Sequence, residues 1–547
     1  MTRGDRESLI RKTAAGAVRG ARDGEVLSWK GIPFAAAPTG NRRFRRPQPP
    51  APWHELRDAT AFGAMAPQHV LKSMDVDPSV PLSEDCLTVN VWAPAGAAAP
   101  AGAPGGAGAS GAAGRPVMVW IHGGGYFAGS TAQRFYDATT LAAEGDVVVV
   151  TVNYRLGILG FVDFSSLNRA TGESFGHGFD ANVGLRDQIA GLTWVQQNIA
   201  AFGGDPGNVT LFGESAGGAS VIALMASPLT AGLFHRAIAQ SAPVTSVYGR
   251  ERAATVAHRF LDIVGIEPGD AHRLRELDPF DLVDAGAELV HEVSGSVPGT
   301  LAMAPVIDDE VVPEYPLTAF REGHVPRLPL IIGTNRDESS FFKLMRSPLL
   351  PITSEKIEQM FAEIAADNPG APGFDEAGAR ITSAYPSYPR RRTPAEVSRD
   401  AGFRMPSIWL AEAHSRNAPT WMYRFDHATP LLKVTGIGAT HAAELAYVFG
   451  SFAPRGRDIV FGLGGRPEAL RVAGRMRGRW IAFARGEAPE LSAGADPDAA
   501  GSDDVVPWPP YDPETRPTLI IDREERVEHD PDGEIREAWG PEILAFR

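Results

Sequence analysis

The residues best suited to covalent chemistry lie in the pentapeptide 213–217, GESAG, which fits the pattern G-x-S-x-G with Ser215 at its centre. An apolar run at 209–212 precedes it, and a helical pattern at 219–225 follows. In a sharp turn from a strand to a helix, glycines on both sides of a serine let the neighbouring backbone approach closely. The alternative is an ordinary Gly-rich turn with a solvated serine, because the pattern alone also occurs by chance.

A second glycine-rich stretch favours the catalytic interpretation. The apolar run 117–121 leads into His122 and three consecutive glycines, the HGGG pattern of an oxyanion-hole loop. Without Cβ atoms, backbone N–H groups there can turn toward one point. We expect the amides of Gly124, Gly125 and Ala216 to form a three-donor oxyanion hole.

A serine nucleophile needs a base, and nine histidines follow Ser215 in the chain. In proteins that combine a G-x-S-x-G turn with an HGGG loop, the catalytic residues follow the chain order serine, acid, histidine. His441 is the preferred base because it follows the Gly-containing loop 435–440, from which a side chain can lean over a strand end. His427 is the alternative, but it follows an apolar strand-like run, so we interpret it as a packing residue.

The base in turn needs a carboxylate that orients it, and four acidic residues are candidates. Asp337 and Glu338 come just after the apolar run 328–332. Asp308 and Asp309 follow a short apolar stretch further toward the N-terminus. Spacing alone does not choose among the four.

These residues need a framework of strands and helices that brings them together. Short apolar runs rich in β-branched residues predict buried strands, and longer periodic segments predict helices. Their alternation predicts an α/β fold with a large, mainly parallel central sheet flanked by helices. The predicted strands are 117–121, 147–152, 209–212 and 328–332, and the predicted helices are 182–199, 219–225, 253–264 and 467–484.

One segment, 93–116, consists almost wholly of Ala, Gly and Pro, and we interpret it as a flexible surface loop. The apolar runs on its two sides, 87–92 and 116–121, predict neighbouring strands joined by a long hairpin. The acidic stretch 490–504 predicts another exposed loop. We interpret neither segment as a boundary between domains, so we expect residues 1–547 to form a single domain.

Composition excludes several classes of protein. The formal net charge of −14 over 547 residues argues against a nucleic-acid partner, which requires a basic surface. The single cysteine, Cys86, cannot form an intrachain disulfide or a cysteine-based zinc cluster. No apolar run approaches the roughly 18 residues of a membrane span, and the charged N-terminus lacks the apolar core of a signal peptide. We therefore expect no membrane association and a cytoplasmic location.

An ordered set of motifs makes the chain resemble the type B carboxylesterases, the cholinesterase-like branch of the α/β-hydrolases. The resemblance runs from about residue 13 to residue 522. Besides GESAG, it rests on 30–35 (KGIPFA), Arg43-Phe44, 83–92 (SEDCLTVNVW), 153–157 (NYRLG), 182–188 (NVGLRDQ) and 202–206 (FGGDP).

The resemblance implies a role for each matching residue. Ser215 would be the nucleophile, His441 the general base and acid, and Glu338 the acid that orients the histidine. Ser339 stands where the family has a glycine after that glutamate. The remaining implied roles are oxyanion donors at Gly124, Gly125 and Ala216, a buried carboxylate at Glu214 that helps to hold a cationic histidine, and a supporting hydroxyl at Ser241 near the acid.

The chain also departs from the family pattern. The family pairs the cysteine at position 86 with one about twenty residues earlier, where this sequence has Ala66. The missing bond is consistent with a reducing compartment. The stretch 67–85 contains no Phe, Tyr or Trp, whereas choline-binding relatives stack their ligand on a tryptophan there. Acetylcholine is therefore disfavoured as a substrate.

The expected function is a serine carboxylesterase that hydrolyses small uncharged esters through an acyl-enzyme, with no metal or organic cofactor. The only expected partner is the small-molecule ester, and the sequence leaves monomer and homodimer open. The same catalytic residues could instead act on carbamates or aryl amides. A catalytically inactive binding protein, like the neuroligin-like members of this superfamily, is disfavoured because Ser215, Glu338 and His441 are all retained.

Overall fold

A large mixed β-sheet organises the molecule. The computed structural model describes residues 9–71, 74–96, 114–169, 178–345, 347–371, 373–374, 376–390, 392–453, 458–490 and 506–547. Its strands are β1 (Ile10–Lys12), β2 (Ala17–Arg19), β3 (Ala21–Asp23), β4 (Val26–Pro33), β5 (Arg57–Asp58), β6 (Thr88–Pro94), β7 (Arg115–Ile121), β8 (Val148–Val152), β9 (Gly204–Glu214), β10 (Arg236–Gln240), β11 (Leu330–Asn335), β12 (Thr420–Phe425), β13 (Pro517–Ile521) and β14 (Arg526–His529).

In the described part of the chain, eleven of these strands form one sheet in the order β14-β13-β12-β11-β10-β9-β7-β8-β6-β4-β3. The pairs from β8 through β7, β9, β10, β11 and β12 to β13 are parallel. The strands at both edges pair antiparallel. Strands β1, β2 and β5 form a small separate sheet. The predicted mainly parallel sheet is therefore confirmed.

Helices connect the parallel strands and cover the sheet. All four predicted helices are present, with ends that differ from the predicted ones by at most three residues. The helices are α1 (Thr139–Gly145), α2 (Ile158–Phe161), α3 (Val183–Asn198), α4 (Ala216–Met225), α5 (Arg250–Val264), α6 (Pro279–Ser296), α7 (Pro316–Glu322), α8 (Ser339–Leu344), α9 (Ser354–Asp367), α10 (Ala377–Ser383), α11 (Thr393–Arg399), α12 (Met405–His414), α13 (Pro430–Thr435), α14 (Leu445–Phe449), α15 (Arg466–Arg485) and α16 (Gly533–Trp539).

The central strands separate two hydrophobic cores. Successive side chains of a strand point to opposite faces, so Val117 and Val119 of β7 enter one core and Met118 and Trp120 enter the other. Both sets are fully buried. This two-sided burial explains why the predicted strands appear as continuous apolar runs rather than as alternating patterns.

The expected hairpin between β6 and β7 is wrong. Strand β8 lies between them, pairing antiparallel with β6 and parallel with β7. All three strands are buried on both faces, so their apolar pattern carries no information about which of them are neighbours.

The predicted loop at 93–116 is also too long at both ends. Ala93 and Pro94 belong to β6, and Arg115 and Pro116 belong to β7. Most of its interior, 97–113, lies outside the described residues, as does nearly all of the second predicted loop, 490–504.

A buried ion pair joins the segment after β8 to α3. The guanidinium of Arg155 donates two hydrogen bonds of 2.7 Å to the carboxylate of Asp187, and the Arg155 backbone N–H donates a third. The two side chains are 3% and 0% exposed. Removing one partner of such a pair leaves an uncompensated charge in the core.

We therefore expect Asp187→Ala to lower the free energy of unfolding by roughly 3–5 kcal/mol. The matched control is Asp309→Ala, because Asp309 forms an exposed pair with Arg250. That change is expected to cost less than about 1 kcal/mol. Chemical denaturation of both variants measures the difference, and equal losses of stability would contradict this account of the core.

Candidate active site

The turn after β9 holds Ser215 in an unusual backbone conformation. Ser215 has φ 58° and ψ −127°, and its N–H donates to the Gln240 carbonyl at 2.9 Å. A Cβ atom at Gly217 would overlap the Ile121 carbonyl oxygen, and one at Gly213 would lie 2.6 Å from the Gly217 backbone. The two flanking glycines are thus required by close packing, and the strained serine sits at the start of α4.

The HGGG loop begins directly after β7 and passes beside this turn. A Cβ at Gly123 would lie 2.7 Å from the Glu214 carbonyl oxygen and 3.0 Å from the Ser215 Cβ. Gly124 and Gly125 have φ values of 117° and 61°, which favour glycine. Among the described residues, no backbone carbonyl accepts a hydrogen bond from the N–H group of either glycine.

The contacts of His122 stabilise this loop. Burial lowers its pKa to about 4, so the imidazole is neutral at pH 7. The ring stacks on Tyr154 at 4.4 Å, and its Nδ1 lies 2.9 Å from the Gly123 carbonyl. The Tyr154 hydroxyl donates to the His122 carbonyl at 2.6 Å. These contacts hold the glycines in place.

Glu338 and His441 meet although 103 residues separate them. Nδ1 of His441 lies 2.7 Å from Oε2 of Glu338, and Oε1 of Glu338 accepts the backbone N–H of Asn335 at 2.7 Å. Glu338 is fully buried and His441 is 8% exposed. The hydrogen bond orients the imidazole and favours the tautomer that carries its proton on Nδ1.

The other acid candidates have different partners. Asp337 contacts the Arg336 guanidinium and the Ala439 N–H. Asp308 accepts hydrogen bonds from Asn182 and nearby backbone amides, and Asp309 pairs with Arg250 at the surface. Of the four carboxylates, Glu338 is the one in contact with His441.

His427, the alternative base, lies elsewhere. Its side chain is 2% exposed, and its Nδ1 lies 3.3 Å from Asp522. Its ring packs edge-on against Tyr447 at 5.5 Å. This environment agrees with the interpretation of His427 as a packing residue.

Glu214 lies on the other side of the imidazole. Its Oε1 is 3.1 Å from Nε2 of His441, and the side chain is buried. Burial raises the pKa of Glu214, although the charge of His441 opposes this effect. Burial alone would lower the pKa of His441, but the charges of Glu214 and Glu338 and the hydrogen bond to Glu338 raise it above its ordinary value.

Ser241 is fully buried next to the end of β10, and its N–H donates to the Gly333 carbonyl at 2.8 Å. Its Oγ forms no hydrogen bond with Glu338 or with any other described residue. Its supporting role stays a prediction.

Sequence reasoning missed a third buried carboxylate, Glu444. It accepts hydrogen bonds from Asn335 Nδ2 at 2.5 Å and from Gln240 Nε2 at 3.1 Å, and Trp480 donates to Gln240 at 3.2 Å. Burial and the charge of Glu338 raise the pKa of Glu444. The sequence feature that could have identified Glu444 is its position three residues after His441, within an otherwise apolar stretch.

A cavity of about 720 Å³ opens onto these groups. Ser215, Glu214, His441 and all three proposed oxyanion donors lie in its wall. Much of the remaining wall is apolar, and it includes parts of the segments 293–303 and 341–350. It also includes side chains that sequence reasoning did not identify, namely Val283, Ala287 and Val290 of α6, Met360 and Ile364 of α9, and Leu544 and Phe546.

Neither a metal site nor a membrane span is found within the described ranges. No group of three or more His, Cys, Asp or Glu side chains there is arranged to hold a metal ion. No helix in those ranges is long and apolar enough to cross a membrane.

A strained serine between a parallel strand and a helix, with a glycine loop at the end of the neighbouring strand, is the arrangement of the α/β-hydrolases. Comparison with solved structures confirms this fold. A thermophilic PNB esterase superimposes with a TM-score of 0.81 and 35% identity, and covers 97% of this chain and 100% of its own. A carboxylesterase of Geobacillus stearothermophilus gives a TM-score of 0.77, with 35% identity and the same coverage.

Sequence comparison identifies the family. The carboxylesterase family matches residues 7–539, so the chain belongs to the carboxylesterase family. It is 37% identical over 533 residues to the para-nitrobenzyl esterase of Bacillus subtilis strain 168, covering 97% of this chain and 98% of that protein. It is 30% identical over 521 residues to the phenmedipham hydrolase of Pseudarthrobacter oxydans, covering 94% of each. The protein is an enzyme that hydrolyses carboxylic ester bonds.

The charge around His441 predicts a shift in the pH profile. A general base acts when neutral, so activity falls as pH drops through its pKa. Glu214→Gln removes a negative charge that raises this pKa, and the acidic limb of kcat/KM is expected to move to lower pH by roughly one to three units. The control is Asp309→Asn, which removes an exposed carboxylate. A limb that stays in place or moves to higher pH in Glu214→Gln would contradict the electrostatic account.

Proposed function

We propose that this esterase is a serine hydrolase that acts on small uncharged esters through an acyl-enzyme, with Ser215, Glu338 and His441 as its catalytic triad. The observation that carries the proposal is the 2.7 Å contact between His441 and the buried Glu338, at the wall of the cavity that also contains Ser215. A histidine oriented by a buried carboxylate is the arrangement that activates a serine hydroxyl.

In the first half of the reaction, His441 accepts the proton of Ser215 as its oxygen attacks the ester carbonyl. The amides of Gly124, Gly125 and Ala216 stabilise the oxyanion. The alcohol then leaves with the proton held by His441, and an acyl ester remains on Ser215.

In the second half, His441 again acts as the general base while water attacks the acyl-enzyme. The ester bond to Ser215 then breaks, the serine oxygen regains its proton from His441, and the carboxylic acid product is released. Glu338 orients His441 in both halves, and Glu214 stabilises the imidazolium from the opposite side. The roles of Ser215 and His441 are independent of whether the carbonyl belongs to an ester, a carbamate or an amide.

The preference for uncharged substrates is supported by the apolar part of the cavity wall. A charged group would lose its hydration against this wall without a compensating partner. A cytoplasmic location stays a prediction, which rests on the free, buried Cys86. A single domain for residues 1–547 likewise stays a proposal, supported by one sheet with strands that lie between residues 21 and 529.

The triad is tested with para-nitrophenyl esters of graded acyl length, together with a matched anilide and a matched carbamate. Ser215→Ala is expected to lower kcat for the ester by at least roughly 10⁴-fold, because the variant has no nucleophile. The anilide and carbamate rates decide between the ester function and the alternative substrates. Undiminished ester hydrolysis by the folded Ser215→Ala protein would contradict the proposal.

The choice of acid is tested separately. Glu338→Gln is expected to lower kcat by about 10⁴-fold, since an amide no longer holds the catalytic tautomer of His441. The matched variant Asp337→Asn changes the neighbouring carboxylate and is expected to keep activity within the same order of magnitude. If Asp337→Asn were the inactive variant, the assignment of Glu338 would be wrong.

A further inference from the structure

Residues 544–546 form part of the wall of the catalytic cavity. Leu544 and Phe546 are 5% and 6% exposed, so their side chains face the protein rather than the solvent. A Cβ built at Gly299 would lie 3.0 Å from the Met360 sulfur and 3.5 Å from Cε2 of Phe546. Gly299, Met360 and Phe546 therefore meet at one region of the wall, which packs too closely at Gly299 to admit a Cβ atom without a shift of Met360.

Polar contacts hold this segment against the body of the protein. Asn368 Nδ2 donates to the Ala545 carbonyl at 3.0 Å, and Arg252 Nε donates to the Arg547 carbonyl at 3.0 Å. The Arg252 guanidinium also lies 5.2 Å over the ring of Phe546.

A second set of contacts fixes the residue that follows. The Arg547 backbone N–H donates to Asp367 at 3.2 Å, and its Nε donates to Asn368 at 3.0 Å. A segment held by several hydrogen bonds loses little entropy when a substrate packs against it. It can therefore act as a fixed wall.

We propose that residues 544–546 are a specificity-determining wall, in which Leu544 and Phe546 limit the length of the apolar group that the cavity accepts. The inference rests on the proposed function, since it concerns the substrates of the same site. A rigid apolar wall excludes a group that is longer than the space before it, because overpacking a filled cavity forces side chains and backbone to shift. Removing a large side chain from the wall extends that space.

The test uses the full-length protein and two substrate series. One series varies the acyl chain of para-nitrophenyl esters from two to ten carbons, and the other varies the alcohol of a butyrate ester over the same range. The variants are Phe546→Ala and Leu544→Ala, with Phe546→Leu as a milder change that keeps the test available if Phe546→Ala does not fold.

The control is Phe361→Ala. Phe361 is also 6% exposed, and it directly follows Met360 on α9. Its ring packs against Trp539 at 5.8 Å, and it is not among the described residues of the cavity wall. The control therefore removes the same side chain at the same burial without enlarging the site.

In at least one of the two series, we expect Phe546→Ala and Leu544→Ala to raise kcat/KM for the longest ester relative to the shortest by roughly tenfold. Phe361→Ala, which lies outside the described cavity wall, should lower the melting temperature without changing this ratio. Unchanged length profiles in both series, or an equal change in Phe361→Ala, would overturn the inference. A parent protein that hydrolyses none of the esters would instead contradict the proposed function itself.

Discussion

The hydrogen bond between Glu338 and His441 is the interaction on which the proposed active site depends. Taking a carboxylate and an imidazole out of water is costly, and their attraction offsets this cost only when further hydrogen bonds satisfy both groups. Here the Asn335 N–H satisfies the second oxygen of Glu338. Phe342 and Phe403 cover His441, with ring centroids 5.0 and 4.9 Å away. The pair is thus buried and oriented, and Nε2 of His441 faces Glu214.

The sheet makes this contact possible. Ser215, Glu338 and the HGGG loop each follow the carboxyl end of a parallel strand, and parallel strands present those ends at one edge. β7 pairs with β9 through Ile121 and Gly213, so the glycine loop and the serine turn start side by side. Because the elements that carry them come from distant parts of the chain, Glu338 and His441 meet although they are 103 positions apart.

Much of this arrangement could be predicted from the sequence, because its determinants are local. The GESAG turn, the HGGG loop and the long helices each depend on residue types within a short window. The pairing of β8 between β6 and β7 could not be predicted, since three buried apolar strands have interchangeable patterns. Spacing did not identify which carboxylate orients the histidine, so that assignment required the family resemblance. The network around Glu444 and the wall at Phe546 depend on tertiary packing between distant segments, which no local pattern records.

The proposed mechanism requires an acyl ester on Ser215 as an intermediate. Mass spectrometry of the protein quenched during turnover of a slowly deacylating ester, followed by mapping of the modified peptide, detects this intermediate. We expect a mass increase of one acyl group per chain, located on Ser215 and lost as turnover ends. Turnover that leaves Ser215 unmodified, or an acyl group on another residue that forms and decays at the rate of the reaction, would contradict it.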